Sequence, residues 1–307
     1  MTVIILIVII TLIILQQQCD AYVNTKKIIV HNLKSTLIEY NNNNNNNNNH
    51  HHHNNINENI NNIKNAHTIR FQGGGIKFWF QAGACKYCRE QQKIFNQTLI
   101  GTSAGSLSAT FLALNVDFDK VAEFAIFQAT RDHLFDKPSG LLGIWGNLVR
   151  EWLYYLISDD AFTDYKNDKN RSNLYIAVTP FSMRQTFKNG RHPIYLSDDS
   201  FETKSELIDA CMTSVHIPLF MDGKLYAKYK GKRYIDGSFW PLLRNQYQDK
   251  QDMHLKWPTP IYNIDWRNDV LFTEKFSNSF VDLITPAGLY EMMDFGYNYM
   301  KSEYEKE

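Results

Sequence analysis

Apolar positions in this chain follow three regimes. From Met1 to Leu15 they are nearly continuous, with Val3 to Ile10 and then Leu12 to Leu15. The run is short of the roughly 20 residues that span a bilayer and matches the apolar region of a secretory signal. Cys19-Asp20-Ala21 places small residues where a signal peptidase reads them. Segment 1–21 is therefore expected to be a signal peptide or an N-terminal anchor, with the chain in the secretory pathway. In the second regime apolar residues nearly vanish. Asn41 to Asn49, His50 to His53 and an Asn-rich stretch to Asn65 form a low-complexity tract. Such a tract buries too little apolar surface to offset the entropy of ordering, and 22–66 reads as a disordered leader.

The third regime begins near His67, where short apolar runs alternate with longer amphipathic ones. Thr68 to Gln72 is expected as a strand ending at three glycines, followed by a helix over Phe78 to Gln91. Leu99-Ile100 closes a second strand, and Ala104 to Leu114 is small and apolar enough for a buried helix. Asp119 is expected to cap a helix over Val121 to Thr130, and another is expected over Leu141 to Ile157. Leu174 to Thr179 reads as a buried strand and Ile194 to Leu196 as a further one. Ser205 to Thr213 reads as a helix halted before Pro218, and Tyr234-Ile235 as a strand that delivers Asp236. Strands alternating with helices predict an α/β domain over 67–281. The charged tail, 282–307, is expected to be a peripheral helix.

Composition narrows the possibilities. The 32 basic and 32 acidic side chains balance, so charge gives no argument for nucleic acid. Hydrophobic residues make up 44% of the chain, enough for a real core. Cys85 and Cys88 form C-x-x-C, but no second pair or histidine pair completes a zinc site. Histidine within an asparagine run is read as repeat drift. No metal and no organic cofactor is expected.

Three short motifs carry candidate chemistry. Gly101-Thr102-Ser103-Ala104-Gly105 is a G-x-S-x-G turn between a strand and a helix. There the serine stands at a sharp apex, and glycines keep side chains away where strand and helix nearly touch. Gly73-Gly74-Gly75 precede it by 28 residues (103 minus 75). Successive glycine amides can form an oxyanion hole, and each such donor contributes roughly 2.7 to 4 kcal/mol to a transition state. A phosphate-binding loop is the rival, but neither G-x-G-x-x-G nor G-x-x-x-x-G-K-S/T is present. Asp236-Gly237 ends a strand in a tight turn, where a carboxylate can accept the Ser103 proton if within hydrogen-bond reach. Alone, Asp-Gly is a hairpin signal; with the other two motifs it becomes a candidate base.

Taken in order, Gly73-Gly74-Gly75-Ile76-Lys77, Gly101-Thr102-Ser103-Ala104-Gly105 and Asp236-Gly237-Ser238 resemble the patatin-like phospholipases. The stretch from Ala210 to Pro218 with Phe220 is similar to that family's segment before its aspartate. The likeness runs from about Ile69 to Leu243. It implies a three-layer α/β fold with a mainly parallel sheet flanked by helices. It also implies a Ser–Asp dyad without histidine: Ser103 as nucleophile and Asp236 as proton acceptor. Gly73, Gly74 and Gly75 would form the oxyanion site, Lys77 would stand at the family's basic position, and Gly101, Gly105 and Gly237 would shape the turns. The implied activity is hydrolysis, or transfer, of fatty-acyl esters at a lipid surface. Three positions depart from the pattern: Gln72 before the glycines, Phe78 after the basic residue, and Ser238 where glycine or alanine is usual.

Two alternatives stay open. The chain is either a catalytically silent lipid binder, as Phe78 suggests, or a Ser-His-Asp esterase. The esterase would draw its histidine from His192, His216 or His254, and its acid from Asp160, Asp198, Asp199 or Asp209. Phe78-Trp79-Phe80 and Trp145 to Tyr155 read as core or as lining for an acyl cleft. Lys224 to Lys232 reads as a basic loop. Oligomeric state is not set by any of these features.

Overall fold

The computed structural model describes residues 68–91, 97–136, 141–182, 193–238, 261–276 and 284–305. The segments expected to form a signal or anchor (1–21) and a leader (22–66) lie outside them, as do residues 239–260. Among the described residues no helix is long and apolar enough to cross a membrane.

The sheet contains β1 (Thr68–Phe71), β2 (Thr98–Thr102), β3 (Asn173–Pro180), β4 (Ile194–Ser197), β5 (Ala227–Tyr229), β6 (Lys232–Asp236) and β7 (Ile261–Ile264). Its order is β5-β6-β3-β2-β1-β7, with β4 also paired to β3. The central run β3-β2-β1-β7 is parallel. β4, β5 and β6 are antiparallel additions. β3 shares its outer edge between β4, along Tyr175 to Val178, and β6, from Val178 to Pro180. Parallel strands covered on both faces read as unbroken apolar runs, and β1 is buried along its whole length.

Helices flank this sheet: α1 (Phe78–Glu90), α2 (Ala104–Ala113), α3 (Phe118–Arg131), α4 (Trp145–Leu156), α5 (Asp159–Asn167), α6 (Lys204–Ser214), α7 (Val270–Lys275) and α8 (Pro286–Glu305). α2 is built almost wholly of small and apolar residues and is buried along nearly its full length. α8 packs directly on α1. A Cβ on Gly83 would stand 1.8 Å from the Met293 carbonyl oxygen, and one on Gly296 1.8 Å from the Phe80 carbonyl oxygen. The two glycines let the backbones touch, and Leu289, Met292, Met293 and Met300 are buried in the contact. The expected peripheral helix is thus joined to the core.

Several local expectations are corrected. The cap of α3 is Asp117, whose side chain accepts from the Asp119 amide, so the helix starts three residues before Val121. α4 starts at Trp145, after Leu141 to Ile144 form a turn. The Lys224 to Lys232 segment is largely a hairpin rather than a loop: β5 and β6 are joined by Lys230-Gly231, both at positive φ. That is the two-residue geometry whose twist matches paired strands.

Candidate active site

β2 ends at Thr102, and the chain reverses at Ser103 with φ 53° and ψ −129° before α2 begins. A non-glycine residue held at positive φ costs about 1–3 kcal/mol and persists only where its surroundings over-determine it. Here they do. A Cβ on Gly101 would lie 2.4 Å from Ser106 Cα, and one on Gly105 2.3 Å from the Phe71 carbonyl oxygen. The Ser103 carbonyl accepts from the Ser106 amide at 2.8 Å and from its hydroxyl at 2.7 Å. The Ser103 amide donates to Ser214 Oγ at 3.0 Å, and that hydroxyl donates to the Ala177 carbonyl at 2.7 Å.

Asp236 closes β6 and pairs with Val178 in the register of β3. Its amide donates to the His216 carbonyl at 2.9 Å, and the Gly237 amide to the Ser214 carbonyl at 3.2 Å. A Cβ on Gly237 would meet the Ala177 carbonyl oxygen at 2.4 Å, so the turn takes glycine. Ser103 Oγ donates to Asp236 Oδ2 at 2.5 Å. Asp236 Oδ1 accepts from the Ser238 amide and hydroxyl, both at 2.7 Å. The carboxyl is buried, and burial pushes its pKa up to about 6, against the opposing hydrogen bonds from Ser103 and Ser238. A carboxylate so raised is a stronger base than an exposed one yet remains mostly ionised at pH 7.

The glycine loop leaves β1 and passes this pair. A Cβ on Gly73 would lie 2.6 Å from Ser238 Oγ and 3.1 Å from Ser103 Cβ, so Gly73 stands against both. Gly74 faces Trp266 Nε1 (2.7 Å from a built Cβ) and Lys77. Gly75 is at φ 54° and opens a turn closed by the Lys77 amide donating to the Gly74 carbonyl at 3.0 Å. Gln81 Nε2 donates to the Gln72 carbonyl at 2.6 Å, while Gln81 Oε1 accepts from Ser108 Oγ at 2.9 Å. Lys77 is buried, its ammonium donating to the Phe276 carbonyl and standing 5.8 Å from the ring centres of Trp266 and Phe272. Trp266 Nε1 is buried with no hydrogen-bond partner among the described residues.

The sequence-predicted site residues thus lie together: Ser103 is bonded to Asp236, Gly73 stands against Ser103 and Ser238, and Gly74, Gly75, Lys77, Gly101, Gly105 and Gly237 form the surrounding turns. The side chains of the described triad candidates are engaged elsewhere, and Asp160 is exposed in the first turn of α5. His216 turns Nε2 to the Lys224 carbonyl at 3.1 Å, and burial lowers its pKa. Asp198 bonds Tyr165 and Arg171, Asp199 pairs with Arg171, and Asp209 pairs with Arg150. His192 and His254 lie outside the described residues. Phe78 begins α1 and is buried edge-on to Trp79, Phe111 and Trp152, so it belongs to the core. Cys85, Cys88 and Cys211 are buried thiols that form no disulfide among the described residues. Sequence reasoning missed Ser214 and Gln81, which act through backbone groups brought near only by folding, and Trp266, which follows a strand with no motif of its own.

An apolar cavity of about 70 Å³ is lined by Ile76, which follows the glycine loop, and by Trp79, Ile126, Trp145, Leu148 and Leu289 among others. Gln128 is its one polar lining residue among those described, and its amide nitrogen is spent on the Leu148 carbonyl at 3.2 Å.

The family profile described as patatin-like phospholipase matches residues 69–245. Omega-hydroxyceramide transacylase of Homo sapiens is 25% identical over 179 residues, covering 56% of this chain and 30% of that protein. The enzyme of the same name from Mus musculus is 26% identical over 179 residues, covering 56% of this chain and 27% of that protein. The chain therefore spans less than a third of the length of either relative. Among solved structures, VipD from Legionella pneumophila aligns with a TM-score of 0.41 and 14% identity, over 78% of this chain and 67% of that one. A profile match over more than half of the chain, coinciding with the strands and turns that carry Gly73, Ser103 and Asp236, decides the matter: this chain belongs to the patatin-like phospholipase family.

Proposed function

We propose that the protein is a lipid acyl hydrolase that works through a serine acyl-enzyme, with Ser103 as nucleophile and Asp236 as its base. The hydrogen bond from Ser103 Oγ to Asp236 Oδ2, at 2.5 Å, carries this reading. Ser103 Oγ attacks the ester carbonyl carbon while its proton passes to Asp236 Oδ2. The carbonyl oxygen gains the negative charge and is received by amides of Gly73 to Gly75. Asp236 then returns the proton to the departing alcohol, leaving the acyl group on Ser103. Water repeats the sequence, losing its proton to Asp236, and the fatty acid leaves. The cavity at Ile76 supports a hydrocarbon substituent, since its walls offer a ligand almost nothing to hydrogen-bond. Lipid at a membrane or droplet surface is the proposed substrate, and segment 1–21 is proposed to direct the chain to the secretory route.

The test is hydrolysis of phospholipid, galactolipid and acylglycerol esters by the protein beside its Ser103→Ala form. A loss of at least about a thousandfold is expected; equal rates end the proposal. Failure of a fluorophosphonate to label Ser103 in folded protein favours the silent lipid binder.

Acyl transfer is a second reading, supported by the names of the two curated relatives, both transacylases. An acceptor hydroxyl would replace water in the second half of the reaction. The ratio of new ester to free fatty acid, measured with a long-chain alcohol present, distinguishes the two.

A further inference from the structure

Asp236 carries its charge under unusual conditions. It is buried, and among the described residues the influences that favour its ionised form are hydrogen bonds from Ser103 and from Ser238. The Ser103 hydroxyl cannot hold the carboxylate through the reaction, because its proton is the one transferred. The Ser238 amide and hydroxyl both reach Oδ1, the oxygen that does not receive that proton. The amide is set by the turn. The hydroxyl is supplied by the side chain alone, at a position where the family pattern has glycine or alanine. It is also confined on its far side, since a Cβ on Gly73 would lie 2.6 Å from it.

We propose that Ser238 is a positioning residue whose hydroxyl keeps the Asp236 carboxylate ionised and holds Oδ2 towards Ser103. The inference rests on the catalytic reading above. The hydroxyl donates one of three hydrogen bonds to a carboxylate with no ion-pair partner among the described residues, and hydrogen bonds to charged groups are about twice as strong as neutral ones. On β6 itself, Lys232 is exposed, Arg233 stands over the Tyr226 ring at 4.8 Å and Tyr234 is buried; other titratable groups on the described elements nearby have partners of their own. His216 turns its ring to Lys224, Lys77 holds the Phe276 carbonyl, and Cys211 on α6 contacts Thr110. Glu206 pairs with Lys230, Asp209 with Arg150 and Lys204 with Asp159. β2 and α2 carry no titratable side chain.

The test follows the pH dependence of phosphonylation of Ser103 by a fluorophosphonate. In that step the Oγ–P bond forms, the P–F bond breaks, fluoride leaves and the serine proton passes to Asp236. In Ser238→Ala and Ser238→Gly the acid limb is expected to move up by about one pH unit. Labelling at pH 6 then falls about fivefold and recovers towards a plateau by pH 9. Ser238→Thr, which restores a hydroxyl, is expected to bring the limb back. An unmoved limb in either hydroxyl-free variant overturns the inference, as does an equal loss at every pH in protein whose thermal unfolding is intact. Absence of Ser103 labelling in the unsubstituted, folded protein would instead overturn the catalytic reading on which the inference rests.

Discussion

Replacing Asp236 by asparagine is expected to abolish activity and yet stabilise the protein. The substitution keeps the shape of the side chain. Its carbonyl oxygen can go on accepting from the Ser238 amide and hydroxyl, and its amide nitrogen, in place of Oδ2, can donate to Ser103 Oγ. What disappears is a buried charge. Asp236 titrates at about 6 in the folded protein against an ordinary 3.8, with burial the largest cause. Unfolded chain thus loses its proton first, and folded chain still holds one between those two values. Native stability is complete below 3.8, falls as pH rises through the window, and levels off above 6. The difference of 2.2 (6 minus 3.8) at about 1.36 kcal/mol per pH unit gives a penalty of up to about 3 kcal/mol at pH 8. About half of that is already present at pH 5. Urea unfolding followed by tryptophan fluorescence at pH 5 and pH 8 measures it. Asp236→Asn should exceed the unsubstituted protein by about twice as much at pH 8 as at pH 5. A variant less stable than its parent at pH 8, or a gain identical at both pH values, refutes the reasoning.

Further outcomes follow from the same geometry. Because Asp236 must be ionised to accept a proton, kcat/KM for ester hydrolysis should fall below a midpoint near pH 6 and hold its plateau above it; a flat profile down to pH 4 would exclude Asp236 as base. Gly296→Ala places a methyl 1.8 Å from the Phe80 carbonyl and should destabilise by roughly 3 kcal/mol or more in chemical unfolding. Gly223→Ala, at φ 75° with open space around it, should cost only about 1 kcal/mol. N-terminal sequencing of protein recovered from a secreting cell should begin near Tyr22; a chain beginning at Met1 removes the cleaved-signal proposal.

Legibility in the sequence tracked how local each determinant was. The elbow at Ser103 could be read because strand, G-x-S-x-G and small-residue helix are contiguous, and the steric reasons for Gly101 and Gly105 lie within that unit or on the neighbouring β1. The β5–β6 hairpin was hidden because its turn is Lys230-Gly231, without the Asn-Gly or Asp-Gly that usually marks positive φ at both positions. β7, only Ile261 to Ile264, becomes a strand by pairing in parallel with β1, and a four-residue run carries no periodicity of its own. α5 was missed although Ser158 caps it through the Ala161 amide, since its body is rich in Asp and Lys and only Phe162 and Tyr165 are buried. The charged tail read as peripheral because its buried methionines are spread along a polar helix. Gly83 and Gly296, which allow the close crossing, have no meaning until the two helices are brought together.

The meeting of Ser103 and Asp236, 133 residues apart, depends on a third segment, within the Ala210 to Pro218 stretch, whose role the sequence does not show. Sheet register does part of the work: Gly101 lies opposite Ile176 and Asp236 opposite Val178, so both strand ends arrive at the same end of β3. Register alone leaves the turns beyond the strands free to swing. The end of α6 removes that freedom. Ser214 Oγ accepts from the Ser103 amide and donates to Ala177, its carbonyl accepts from Gly237, and the His216 carbonyl accepts from Asp236 itself. Ser103 and Asp236 are thereby both hung from one short stretch of backbone at the end of α6. A pair held in this way keeps its separation while the surroundings move. On the proposed reading, an acyl-transfer site without a histidine needs this, since no flexible imidazole stands between hydroxyl and carboxylate to take up the slack.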